Sequence, residues 1–115
     1  MRKNFNLSNI SHIVIDIDNQ KWTITEWFTK KEYMNQGYGT KVFKSAFADL
    51  IKNYGKPERI VYVWNNENEY VMRWLKKFDA KCTCPLSVLK YVNDDIWEAH
   101  LYDLSIDKLI KFIYN

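Results

Sequence analysis

A chain of 115 residues that is 47% hydrophobic and 17% aromatic can close one core but not two, and its aromatics bury enough area each to do so without disulfides. Its net charge of +3, from seventeen basic and fourteen acidic residues, is scattered along the chain, whereas a nucleic-acid binder concentrates its cations on a face or stripe. No apolar run approaches the ~20 residues of a membrane span, and the charged, polar start has no signal-peptide core. The expectation is therefore one domain over residues 1–115, in the cytoplasm.

Residues Ser11 to Asp18 alternate, with Ile13, Ile15 and Ile17 on one side and His12, Val14 and Asp16 on the other, as in a half-buried strand. Asp18-Asn19-Gln20 supplies turn chemistry. A second strand over Trp22 to Thr29 would place Trp22, Ile24, Glu26 and Phe28 on one face and Thr23, Thr25 and Trp27 on the other, closing an antiparallel hairpin. The period then changes. Val42, Phe43, Ala46, Phe47, Leu50 and Ile51 recur at helical spacing with lysines opposite, and Gly55 followed by Pro57 stops that helix.

Ile60 to Trp64 is a short continuous apolar run, the pattern of a strand covered on both faces. Asn66 with Glu69 resembles a capping box opening a helix that turns Val71, Trp74, Leu75 and Phe78 inward. Two more strands fall within residues 81–92 and 96–104, joined at Asn93-Asp94-Asp95, and Ser105 can cap a short last helix. Strands flanking the first helix must be parallel if they share a sheet, and the terminal hairpins make the remainder antiparallel. The expected fold is α/β (α+β): a mixed, mostly antiparallel sheet with one parallel pair, flanked by helices.

Several residues have ordinary explanations. Cys82 and Cys84 are too close for an unstrained bridge and too few for zinc. His12 and His100 are expected to be structural, and no metal site is expected. The five tryptophans fill core rather than stack on bases.

The informative stretch is Glu32-Tyr33-Met34-Asn35-Gln36-Gly37-Tyr38-Gly39-Thr40, between a strand and a helix. Glycines let the backbone turn sharply and approach a ligand closely, and a helix start offers unpaired N–H groups and a positive dipole end to an anion. An ordinary strand-to-helix turn is the alternative. In its surroundings this stretch resembles the pyrophosphate-binding motif of the GNAT superfamily of acyl-CoA N-acyltransferases, Arg/Gln-x-x-Gly-x-Gly/Ala. The segment from Asn68 to Ala80 is similar to that family's later Asn-x-x-Ala motif. Met34 stands at the motif's Arg or Gln position, Asn35 replaces a frequent glycine, and the helices that usually precede these strands are not seen.

The resemblance implies a GNAT-like fold, acetyl-CoA as cofactor and an amine acceptor, either a small amine or a protein lysine. Main-chain groups of Gln36, Gly37, Tyr38, Gly39 and Thr40, with Met34 and Asn35, would cradle the diphosphate. Trp27, Phe28 and Thr29 would pair with the pantetheine arm at a bulge, and Asn68 would bond the arm. Leu75 falls where many members carry a Tyr that protonates the leaving thiolate, which implies slower transfer.

A lysine of pKa about 10.4 costs roughly 4.6 kcal/mol to deprotonate at pH 7, so a base is wanted. Glu26 is the candidate, and a solvated or ion-paired strand carboxylate is the alternative. A bulge near Trp27 to Thr29 would exchange its face. Two other functions stay open: a catalytically silent GNAT-like module that binds CoA or a protein partner, and a nucleic-acid-binding accessory protein.

Overall fold

The computed structural model describes residues 1–64, 71–92 and 95–114. Asn66, Asn68, Glu69, Asn93 and Asp94 lie outside the described residues, as do the side chains of Trp64, Cys82, Cys84, Trp97 and His100. In chain order the elements are β1 (Arg2–Leu7), β2 (Ser11–Asp18), β3 (Lys21–Thr29), a 3₁₀ turn (Lys31–Tyr33), α1 (Tyr38–Tyr54), β4 (Arg59–Trp64), α2 (Val71–Lys77), β5 (Lys81–Val92), β6 (Asp95–Asp103) and α3 (Ile106–Tyr114). The strands form one six-stranded sheet in the order β1-β2-β3-β4-β6-β5. Every neighbouring pair is antiparallel except β3 and β4, which run parallel across the α1 crossover.

The expected elements are present, with two additions. β1 pairs with β2 from Arg2↔Asp16 to Leu7↔Ser11, and the short 3₁₀ turn precedes the glycine turn. The β2–β3 hairpin turns through Asn19 at φ 53°, a left-handed conformation that Asn tolerates better than most residues.

One core holds the molecule together. Ile13, Ile15, Ile17, Trp22, Ile24, Ile60 and Tyr62 from the sheet are buried with Val42, Phe43, Ala46, Phe47 and Leu50 of α1, Leu75 and Phe78 of α2, and Leu109 of α3. Phe43, fully buried, lies at ring-centroid distances of 4.7–6.0 Å from Phe47, Trp27, Phe78, Trp74 and Phe112. Such offset and edge contacts add about 0.5–1.5 kcal/mol each beyond area burial. This aromatic hub docks α2 and α3 onto α1 and against the inner end of β3.

Helix ends follow the chemistry of their residues. Gly55 takes φ 79° and its N–H bonds the Ile51 carbonyl at 2.8 Å, a left-handed stop that glycine allows. At α3, the Lys108 N–H donates to Ser105 Oγ at 3.4 Å and the Leu109 N–H to the Ser105 carbonyl at 3.0 Å, as expected of an N-cap. Among the described residues no helix is long and apolar enough to cross a membrane.

Candidate active site

Between β2 and β3 the register slips: Ile15 pairs with Ile24, but Val14 pairs with Glu26. Thr25 is thus an extra residue on β3, a bulge two positions earlier than the sequence suggests. Its effect is to exchange faces. Trp22 and Ile24 point into the core, and beyond the bulge Trp27 does so. Glu26 and Phe28 turn to the opposite face, where Phe28 is 47% exposed. Simple alternation, which grouped Glu26 with Trp22 and Ile24, fails at this point because one inserted residue inverts the period-2 pattern.

The same place is where the parallel strands part. Among the described residues β3 and β4 pair from Lys21↔Arg59 to Ile24↔Tyr62 and no further. Past Ile24 the backbone of β3 has, among the described residues, β2 on one edge only. The Phe28 carbonyl accepts from Ser11 Oγ at 3.0 Å, and the Lys30 N–H reaches the Ile10 carbonyl at 2.9 Å, so even-numbered residues direct their polar groups toward β2. Main-chain groups point alternately to the two edges of a strand. Those of Trp27 and Thr29 therefore face the gap, and those of Phe28 do not.

The 3₁₀ turn and the loop after it carry the chain from β3 to α1. Asn35 at φ 62° and Gly37 at φ 86° are both left-handed, which explains how Asn serves where a glycine was expected. Gly37 caps α1 without any side-chain cap bond. The first backbone bond of the helix is Lys41 N–H to the Gly37 carbonyl at 3.0 Å. Among the described residues no acceptor takes the N–H groups of Tyr38, Gly39 and Thr40, the orphan donors expected at a helix start.

Gly39 presses this first turn onto β3. A Cβ there would lie 3.2 Å from Thr29 Oγ1 and 3.7 Å from Trp27 Nε1. The Trp27 indole donates to the Gly39 carbonyl at 3.2 Å, and Thr29 Oγ1 shares a 2.8 Å hydrogen bond with Ser11 Oγ. A larger residue would push the helix off the strand end.

A cavity of about 390 Å³ opens over this junction. Its lining includes Trp27, Thr29, Met34, Asn35, Gly37, Tyr38, Gly39 and Thr40, all expected from the sequence, together with Tyr33. Gln36 is not among them: its side-chain amide donates to the Glu32 carbonyl at 3.2 Å. Phe28 and Glu26 lie on the other face, and Asn68 lies outside the described residues.

The far wall is one the sequence reading missed: Arg73, Trp74 and Lys77 of α2. Trp74 is docked 5.1 Å from the Trp27 ring, which brings Arg73 and Lys77, one helical turn apart, to the cavity rim. Lys77 Nζ sits 5.4 Å from the Trp74 ring and 4.2 Å from that of Phe112, cation–π contacts that fix the ammonium. Two cations spaced i, i+4 on the polar face of the second helix were the available signal. Leu75 points into the core.

On the face away from the helices, His12 Nε2 lies 2.8 Å from Glu26 Oε2, and the imidazole stands 5.5 Å from the Phe28 ring. His12 was expected to be structural; its partner is the candidate base.

No protein-family model matches the chain, and no curated protein does either. Solved structures do. A GNAT-family acetyltransferase from Bacillus anthracis superposes with a TM-score of 0.63 at 18% identity, over 85% of this chain and 59% of that one. The ribosomal-protein-S18-alanine N-acetyltransferase from Escherichia coli gives 0.63 at 10% identity, over 90% and 67%. A GNAT-family acetyltransferase from Elizabethkingia anophelis, solved with acetyl-CoA bound, gives 0.58 at 16%, over 86% and 71%. The chain has the GNAT fold. It spans about three-fifths of the length of the Bacillus anthracis enzyme.

Proposed function

We propose that residues 1–115 act as one N-acetyltransferase domain that moves an acetyl group from acetyl-CoA to a primary amine, of a protein lysine or a small molecule. The observation that carries this reading is a coincidence of three features at one place. A helix start offers the N–H groups of Tyr38, Gly39 and Thr40, unpartnered among the described residues. Among the described residues the parallel strands beside it stop pairing after Ile24. A cavity with Arg73 and Lys77 on its wall covers both.

These residues fit the cofactor. A diphosphate suits converging amides, a positive dipole end and two cations, and the backbone of Trp27 and Thr29 offers strand-like pairing to an amide-bearing arm. The bound cofactor supplies an activated acyl group. Met34, at the motif's Arg or Gln position, contributes an apolar wall in place of a hydrogen bond. Glu26, on the far side of the gap, is the proposed base for the acceptor, which would approach from the face away from the helices.

Isothermal titration with acetyl-CoA tests this. We expect binding that weakens about ten- to a hundredfold in Arg73→Glu/Lys77→Glu, two charge-assisted contacts being lost, and that falls with added salt. Absence of binding at millimolar cofactor refutes the enzyme. A second reading, a silent module that binds CoA and a protein partner, is favoured by Leu75, a buried hydrocarbon at the position of the acid. It predicts binding without thiol release across an amine panel.

A further inference from the structure

We propose that His12 is a positioning residue for Glu26, holding its carboxylate on the sheet face away from the helices in the orientation that takes a proton from the incoming amine. This rests on the acetyltransferase reading above.

The bulge at Thr25 makes the pair possible. It sets Glu26 opposite Val14 and Phe28 opposite His12, so His12 and Glu26 become diagonal neighbours on the same face, within reach of each other's side chains. Without the inserted residue Glu26 would point into the core side and His12 would have no carboxylate partner there. An ionised carboxylate only accepts hydrogen bonds, so in this pair Nε2 carries the proton and donates to Oε2 at 2.8 Å. The tilted Phe28 ring stands 5.5 Å from the imidazole.

The arrangement occupies one carboxylate oxygen and leaves the other. Among the described residues Oε1 has no partner. Glu26 is also the second residue past Ile24, where among the described residues β3 leaves β4, so its backbone belongs to the stretch of β3 whose gap-facing edge is open.

Stability alone gives little reason for this pair. The His12 and Glu26 side chains are 33% and 56% exposed, and exposed ion pairs contribute little. Position is the better account. In transfer, Glu26 would take a proton from the ammonium directly or through one water and free its lone pair. The nitrogen would then bond the carbonyl carbon, the C–S bond breaking with its electron pair leaving on sulfur, and the remaining excess proton on nitrogen would pass to the thiolate. A freely rotating glutamate samples several rotamers; a tethered one presents Oε1 in one place, and misplacing a reacting group by about 1 Å can cost on the order of a hundredfold.

The test is steady-state thiol release by wild type, His12→Ala, His12→Gln and Glu26→Gln, with acetyl-CoA affinity measured separately by calorimetry. We expect His12→Ala to lower kcat about ten- to a hundredfold while the acetyl-CoA Kd stays within about twofold. His12→Gln should recover most of the loss, because its side-chain amide can donate to the same oxygen. In a Glu26→Gln background His12→Ala should add nothing. Full turnover in His12→Ala, equal loss in Ala and Gln variants, or additive losses would each overturn the role of His12. Wild-type protein that binds no acetyl-CoA, or binds it and turns over no amine, would instead bring down the acetyltransferase reading and this inference with it.

Discussion

Tyr62 shows how one residue's surroundings fix its chemistry. It is the last β4 residue paired with β3, its ring belongs to the core, and burial pushes its phenol up to about 12 from an ordinary value near 10. Burial penalises the charged phenolate. The folded form therefore keeps its proton over a range in which the unfolded chain loses it. The resulting contribution is whole below pH 10 and is lost as pH climbs through 12. From the shift it amounts to about 3 kcal/mol. In urea titrations between pH 9 and 12, wild-type stability should fall more steeply than that of Tyr62→Phe. Parallel curves would show that the phenol titrates alike in both states. Residue-level legibility was uneven. Gly37 and Gly39 were readable because their neighbours in sequence define the turn. The face of Glu26 was not, since it depends on Thr25 being left out of the pairing with β2, which only the partner strand reveals.

Among the elements, α3 is the one whose start is written most plainly in the sequence. Ser105 accepts from the Lys108 N–H, its own N–H donates to the Phe78 carbonyl at 2.8 Å, and Leu109 is buried one turn on. Ser105→Ala should lower stability by about 1 kcal/mol, read as a shifted urea midpoint with unchanged slope; an unchanged midpoint would mean the cap bond contributes nothing. β1 is the opposite case. Its sequence, Arg-Lys-Asn-Phe-Asn-Leu, holds only Phe5 and Leu7 as apolar markers. It becomes a strand because β2 offers an edge, a long-range cause that propensity does not see. α2 lies between these extremes. Its apolar face was readable, but Arg73 and Lys77 became cavity residues only when Trp74 docked against Trp27 and Phe43.

For the whole molecule, the mixed sheet and the helix order were legible because each helix and most strands carry their own periodicity. The candidate site was legible in its loop half and hidden in its α2 half, since the first is contiguous in sequence and the second is assembled by packing. The GNAT fold found among solved structures agrees with the topology expected from the residues themselves.

The shortness of the β3–β4 seam has a mechanical consequence. With pairing among the described residues confined to the stretch from Lys21↔Arg59 to Ile24↔Tyr62, the sheet consists of two rafts, β1-β2-β3 and β4-β6-β5, lashed together at one end. A ligand arm lying in the cleft would act as a second lashing. Amide hydrogen exchange at Trp27 and Thr29 should then slow when acetyl-CoA is added, with the remote β1–β2 edge unaffected. Exchange unchanged at the cleft would mean that nothing spans it, and the two rafts would stay joined by their hinge alone.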